Sequence, residues 1–287
     1  MPGHNNWFEI NLKKGLNNNE IPFEARLSIP TKPSVTDFTI VSDQTAKLIA
    51  NTYQNLYICL SGGLDSEYVA KVFLRNKIPF TAIIICTMEN VGEVWFAKHF
   101  CNRNNISPII LDYTTYENLY LFKLLQFSKE LKLRSGISFI IHLAAKFAEE
   151  NNGSLITGYG EPFSNSNDYD YPMGLILEIE EHDYYLDVSF DKKHPGAFFS
   201  YTPDMLFSMV NSIQYDKNTQ LAKTNLYKIP GRSKIMYTVQ SEKFNILNTT
   251  LPKDPNLKCI KIRREKFLHD MLNCSTIVLS SKDNNVN

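Results

Sequence analysis

Ser61-Gly62-Gly63-Leu64-Asp65-Ser66 is the stretch that decides the fold of this chain, because of what stands on either side of it. The apolar run 56–60 before it is typical of a buried strand, and the run 67–74 after it suits a helix. The two glycines between them let the backbone turn tightly and come close to a ligand. Since the N–H groups and the dipole at a helix start favour an anion, the pattern predicts a phosphate site. The alternative is a tight strand-to-helix turn with a serine cap.

Length and composition are those of an ordinary globular protein, with 287 residues, 43% hydrophobic and 21% charged. The formal net charge is zero, so no global field draws the chain to nucleic acid or to an anionic membrane. The apolar runs, such as 81–86, are too short to cross a bilayer, and no signal peptide is evident. The five cysteines include no Cys-x-x-Cys pair, which argues against a zinc site or a disulfide framework. We expect a cytoplasmic protein.

Strand and helix patterns alternate through the first half of the chain. Strands are predicted at 56–60, 80–86, 108–112 and 154–157, and helices at 43–51, 67–76, 91–102, 116–133 and 139–151. This alternation predicts an α/β fold with a doubly wound parallel sheet. Ligands of such sheets bind at the carboxyl ends of the strands, where the strand order reverses. The segments 61–66, 86–89 and 112–115 should therefore lie on one rim.

Two further segments carry groups that could serve a phosphate site. Glu161 follows the predicted strand 154–157 in a turn that contains Gly158 and Gly160. Near the other end of the chain, a proline–glycine bend is flanked by three cations, Lys228, Arg232 and Lys234. Fixed cations there could stabilise negative charge at a phosphate site. The alternatives are a solvated loop carboxylate and a solvated basic loop.

The stretch 61–66 resembles the pyrophosphate-binding loop of the PP-loop ATP pyrophosphatases, which cleave ATP between the α and β phosphates. Leucine at its fourth position is the form usual in asparagine synthetases. The run 135–161 also resembles that family in order and spacing. Tyr159 stands where the family usually has an acidic residue between the glycines, and Glu161-Pro162 stands where the family continues with Asp-Glu. No glutaminase domain is expected, since Pro2 stands where its cysteine nucleophile would be and 1–41 is too short.

The resemblance implies that the chain adenylates a substrate carboxylate or amide oxygen with ATP and releases pyrophosphate, after which an amine or ammonia attacks. It implies ATP and Mg²⁺ as cofactors, with the metal on Asp65 and Glu161. The catalytic residues it implies are Asp65, Lys228, Arg232 and Lys234. The nucleotide-binding residues it implies are Ser61, Gly62, Gly63, Leu64, Asp65, Ser66, Cys86, Thr87, Met88, Gly158 and Gly160.

Three parts are expected along the chain: a hairpin-containing extension 1–41, a PP-loop domain 42–235 with a substrate-region insertion 163–225, and an appendage 236–287 that ends in a disordered tail. Within the insertion, strands predicted at 175–180 and 184–190 form a β-hairpin. The expected partner is a small molecule with a carboxylate or amide. A separate ammonia-supplying protein and a homodimer are left open, and tRNA is not excluded.

Two rival functions stay open on the sequence. A tRNA-modifying or nucleobase-modifying enzyme would need a basic surface to bind nucleic acid. The basic run 258–266 favours this alternative, and the neutral net charge argues against it. A non-catalytic ATP- or AMP-binding protein is the other rival, favoured by Tyr159 and Pro162 in the second loop.

Overall fold

The structure is a computed structural model, and it describes part of the chain. The described residues are 7–12, 23–28, 37–87, 90–114, 136–159, 162–164, 175–177, 193–212, 223, 225–228, 269, 273 and 276–280. The predicted helix 116–133, the predicted strand 184–190 and the basic run 258–266 lie outside them.

Ten strands and five helices have bounds within these residues. The strands are β1 (Phe8–Leu12), β2 (Phe23–Ser28), β3 (Leu56–Cys59), β4 (Thr81–Cys86), β5 (Ile109–Asp112), β6 (Ser154–Thr157), β7 (Pro162–Ser164), β8 (Leu175–Leu177), β9 (Gly196–Ala197) and β10 (Thr276–Ser280). The helices are α1 (Phe38–Thr52), α2 (Leu64–Arg75), α3 (Val91–Arg103), α4 (Gly136–Glu150) and α5 (Pro203–Ser212). None of these helices is both long and apolar enough to cross a membrane.

Five parallel strands form the central sheet in the order β5–β4–β3–β6–β9. The chain enters this sheet in its middle at β3, steps outward through β4 to β5, and then returns to the other side of β3 with β6. The strand order therefore reverses between β3 and β6, and this gap is where doubly wound sheets bind ligands. The predicted α/β fold with a parallel sheet is confirmed.

Alternate strand residues face opposite layers of helices, as the two-residue period of a strand requires. Ile58, Ile84 and Ile156 are buried in one cluster with residues of α1, α2, α3 and α5. Ile83 and Leu155 are buried in another cluster with residues of α4. Burial on both faces explains why β4 is an uninterrupted apolar run in the sequence.

The two ends of the chain share a second, antiparallel sheet in the order β1–β2–β10. The predicted N-terminal hairpin is present as β1 and β2. β10 lies within the segment 236–287, which the sequence treated as a separate appendage. The indole nitrogen of buried Trp7 donates to the carbonyl of Tyr201 at 3.4 Å, which links the N-terminal segment to the residues that precede α5.

Two predicted boundaries were wrong in ways that bear on the site. α1 begins at Phe38 instead of residue 43 and so runs across the predicted domain boundary at 41. α2 begins at Leu64 instead of residue 67, with Gly63 as its N-cap. The last three residues of the stretch 61–66 therefore already belong to the first turn of a helix.

Candidate functional site

The stretch 61–66 makes a sharp turn at the carboxyl end of β3, and Gly62 is the residue that permits it. Its φ of +92° lies in the left-handed region of backbone conformation, which residues with a side chain rarely adopt. A Cβ atom at Gly62 would lie 2.2 Å from the carbonyl oxygen of Glu93, in the first turn of α3. The turn is thus packed directly against α3, and glycine is the residue that fits there.

Hydrogen bonds inside the turn hold its shape. The Ser66 hydroxyl donates to the carbonyl of Gly63 at 3.1 Å and accepts from the N–H of Ser61 at 3.3 Å. The Ser61 hydroxyl lies 3.1 Å from that of Ser66 and accepts from the N–H of Gly63 at 3.1 Å. Both predicted phosphate-binding hydroxyls therefore also brace the loop.

The loop opens α2 with main-chain donors directed at the switch point. Glu67 makes the first bond of the helix, from its N–H to the carbonyl of Gly63 at 3.2 Å. The N–H groups of Leu64 and Asp65 precede it, so they have no partner inside the helix. Together with the helix dipole they favour an anion at this end of α2.

The loop that follows β6 forms the other wall of the switch point. A Cβ atom at Gly158 would lie 2.7 Å from the nitrogen of Ser66 and 2.9 Å from the carbonyl carbon of Asp65. The two predicted loops are thus in direct contact, a contact that the sequence did not predict, since it placed only 61–66, 86–89 and 112–115 on one rim. Gly160 and Glu161 lie outside the described residues.

Asp65 meets a cation and a hydroxyl from a distant part of the chain. The ammonium of Lys223 lies 3.2 Å from each of its two carboxylate oxygens. The Tyr227 hydroxyl donates to one of those oxygens at 2.6 Å. The Lys223 side chain is 1% exposed and that of Asp65 is 21% exposed, so the cation lies beneath the carboxylate.

A stack of aromatic rings fixes the position of Tyr227. Its ring lies 4.4 Å from that of Tyr68, 5.8 Å from Phe199 and 6.1 Å from Phe38, with interplanar angles of 17–21°. Tyr68 is itself held at its hydroxyl by Ser42, at 2.8 Å. Because a ring stacked in this way has little freedom, its hydroxyl is presented to Asp65 in a fixed direction.

The predicted residues at the end of β4 lie on the rim next to the loop. Cys86 and Thr87 are buried, and burial raises the pKa of the Cys86 thiol above its ordinary value. Asn90 braces this corner, since its side-chain oxygen accepts from the N–H of Thr87 at 2.7 Å and its amide donates to Ile85 at 2.8 Å. Met88 lies outside the described residues.

The predicted cations are not brought to Asp65 within the described residues. Lys228 is exposed, with a φ of +51°. The ring of the neighbouring Tyr227 stacks on that of Phe38 at 6.1 Å, which places Lys228 near the start of α1. Arg232 and Lys234 lie outside the described residues.

Lys223 and Tyr227 are the site residues that sequence reasoning missed. They stand four residues apart, the spacing that puts two side chains on one face of a helical turn. That spacing is a signal, but nothing local in the sequence directs this face towards Asp65, since 158 residues separate Lys223 from it.

The described residues fit phosphate better than they fit a resident metal ion. The N–H groups of Leu64 and Asp65 at the start of α2 have no partner inside the helix, and such donors suit an anion. In contrast, both oxygens of Asp65 are engaged by Lys223 and Tyr227. Across the part of the chain that the structure describes, no group of three or more His, Cys, Asp or Glu side chains could hold a metal.

Comparison with known proteins returns solved structures alone. No protein-family model matches this chain, and no curated sequence matches it at a significant level. The NH3-dependent NAD synthetase of Campylobacter jejuni is 16% identical, with a TM-score of 0.35, over 83% of this chain and 94% of that one. The NMN synthetase of Francisella tularensis is 14% identical, with a TM-score of 0.36, over 75% of this chain and 94% of that one.

The glutamine-dependent NAD+ synthetase of Acinetobacter baumannii is 11% identical, with a TM-score of 0.36, over 73% of this chain and 39% of that one. Similarity this weak carries no argument about this chain. The fold class is therefore assigned from the strand order and the connections of its own sheet.

Proposed function

We propose that this chain is an ATP pyrophosphatase of the PP-loop type. It would use ATP to adenylate a carboxylate or amide oxygen of a small molecule, release pyrophosphate, and pass the activated group to an amine or to ammonia. The observation that carries the proposal is the position of the stretch 61–66. It forms a closed glycine turn at the start of a helix, and this turn lies at the point where the strand order reverses.

The chemistry of the turn supports the binding of a phosphate group. Main-chain donors lie at the start of α2, and the buried ammonium of Lys223 contacts Asp65 in the same helical turn. Pyrophosphate leaves as a highly charged anion, and donors fixed before the reaction stabilise such charge without the cost of reorganisation. Lys228, Arg232 and Lys234 stay as predicted further cations, and the predicted nucleobase contacts stay at 86–88.

The proposed reaction has a product signature that tests it. Full-length protein would be incubated with Mg²⁺, ATP labelled at the α phosphate, and a pool of amino acids, small carboxylates, ammonia and bulk tRNA. We expect labelled AMP together with pyrophosphate. Subdividing the pool then identifies the acceptor, and a requirement for tRNA would point to the nucleic-acid-modifying alternative. ADP with phosphate would overturn the proposal.

Two glycine variants provide a matched control for this assay. Gly62→Ala should abolish AMP formation, because its Cβ would lie 2.2 Å from a main-chain oxygen of α3 and its φ is positive. Gly63→Ala should keep most of the activity, since its Cβ would meet only the Ser61 hydroxyl at 3.2 Å. Equal activity of the two variants would show that the turn is not the site of reaction.

A further inference from the structure

We infer that the loop 61–66 carries its own counter-ion, Lys223, so that nucleotide phosphates bind there without a divalent cation on Asp65. This inference rests on the proposed function, since it concerns the charge of the same phosphate site. It differs from the metal role that the sequence resemblance implies for Asp65.

The negative charge of Asp65 is unfavourable in a loop that binds phosphate, and Lys223 neutralises it. Asp65 lies in the first turn of α2, where the main-chain N–H groups are directed at an incoming anion. A carboxylate at that point stabilises the empty helix end but repels a phosphate. A phosphate site built on this loop therefore needs a cation that neutralises Asp65.

The structure places a protein cation at the required position. Lys223 approaches the carboxylate from below and is equidistant from its two oxygens, at 3.2 Å. Tyr227 donates to one of the same oxygens at 2.6 Å. These contacts occupy three of the about four acceptor sites of the carboxylate. A metal ion at the remaining site would lie beside the positive charge of Lys223, which is 0% exposed, and the two like charges would repel each other.

The surrounding residues hold this arrangement closed. Tyr227 is 4% exposed and its ring is stacked against Tyr68, Phe199 and Phe38. Lys223 stands one helical turn before Tyr227, so the packing that fixes the ring also fixes the lysine. A buried charge that loses its partner is strongly unfavourable, which opposes any exchange of Lys223 for a metal.

The test measures nucleotide binding with and without metal. Binding of ATP and of pyrophosphate to full-length protein would be measured by calorimetry in EDTA and in Mg²⁺. We expect the Kd of each probe in EDTA to lie within about threefold of its value in Mg²⁺. A Kd that rises by about tenfold or more in EDTA would overturn the inference and leave the proposed function in place. No binding of either probe in either buffer would overturn both.

Variants at Lys223 separate neutralisation from a merely structural role. Lys223→Met leaves the Asp65 charge uncompensated, and we expect ATP binding in EDTA to weaken by about tenfold or more. Lys223→Arg keeps the charge but is larger than the buried lysine, and we expect it to bind ATP in EDTA more tightly than Lys223→Met does.

A double variant guards against misfolding of the single one. Asp65→Asn combined with Lys223→Met removes both charges together, so it leaves no buried charge without its partner. We expect the double variant to bind ATP in EDTA more tightly than Lys223→Met alone. If removal of the Asp65 charge brings no recovery, Lys223 does not act through that charge and the inference is wrong.

Discussion

His194 takes the place of a main-chain carbonyl beside β6. His194 stands two residues before the start of β9, and its Nδ1 accepts a hydrogen bond from the N–H of Leu155 at 3.0 Å. Ser154 donates its hydroxyl to the carbonyl of Lys193 at 2.9 Å, so this short segment is attached to β6 from both sides of the histidine. Because Nδ1 is the acceptor, the arrangement requires a neutral imidazole whose proton is on Nε2.

Because His194 must be neutral in this arrangement, the free energy of unfolding should depend on pH. Burial lowers the pKa of His194 from 6.5 to about 4, while Glu149 raises it and Lys193 lowers it. The folded pKa is depressed, so the stabilisation is present above pH 6.5 and is lost as the pH falls towards 4. A shift of this size removes about 2 kcal/mol of unfolding free energy between pH 7 and pH 5.

Urea denaturation at the two pH values would measure this loss. His194→Asn keeps an acceptor near the position of Nδ1 without a titrating group, so its loss should be smaller. Some loss should remain, because burial also lowers the pKa of His142 to about 4. Equal losses in the two proteins would contradict the assignment.

At the scale of the element, α1 shows why helix starts are hard to read from the sequence. Both Asp37 and Ser42 are good N-cap residues, and the apolar positions that follow fit either start. The structure uses Asp37, whose carboxylate accepts from the N–H of Thr39 at 2.7 Å and from that of Ile40 at 3.3 Å. Ser42 instead meets the Tyr68 hydroxyl and the Arg75 guanidinium, two partners that only the tertiary fold supplies.

Asp37→Ala should therefore destabilise the protein through the first turn of α1. The expected loss is about 1 kcal/mol of unfolding free energy, the usual effect of removing an N-cap acceptor. Asp37→Asn keeps the acceptor oxygen and should lose clearly less. Denaturant midpoints of the two variants would measure this difference. If Asn were as damaging as Ala, the side-chain cap would not be the source of the effect.

This cap also bears on the candidate site. Phe38 is the first residue of α1, and its ring stacks on Tyr68 at 5.3 Å and on Tyr227 at 6.1 Å. A frayed first turn would loosen the stack that fixes the Tyr227 hydroxyl on Asp65. We therefore expect Asp37→Ala to weaken ATP binding slightly in the same samples in which it lowers stability.

At the scale of the whole molecule, the sequence predicted what depends on neighbours along the chain. The apolar runs and the glycine turn predicted the parallel sheet, and the structure confirms it, including the rim that joins the ends of β3 and β4. Asp65 was singled out for a local reason, its place in a turn that is predicted to bind phosphate. Its partners Lys223 and Tyr227 could not be found in this way, because packing across the fold brings them there and no local pattern records it.

The joining of the two chain ends is the other feature that local patterns miss. β2 pairs with β1 on one side and with β10 on the other, over registers of five residues each. The alternation of β1 and β2 was readable, but the identity of the third strand was not. A two-stranded hairpin is at best marginally stable alone, so β10 should be what stabilises the N-terminal sheet.

Deletion of residues 276–287 tests this dependence. Loss of β10 leaves β1 and β2 as an isolated hairpin with an unpaired edge, which favours fraying or association with a second copy. Hydrogen exchange of peptides that cover 8–12 and 23–28 should lose its protection, and size-exclusion chromatography would detect self-association. Deletion of 281–287 alone leaves β10 intact and should change neither the protection from exchange nor the self-association.

ATP binding should survive both deletions, because the sheet that carries the loop 61–66 contains none of the three strands. Persistent protection after the longer deletion would mean that contacts such as Trp7 with Tyr201 hold the hairpin without β10.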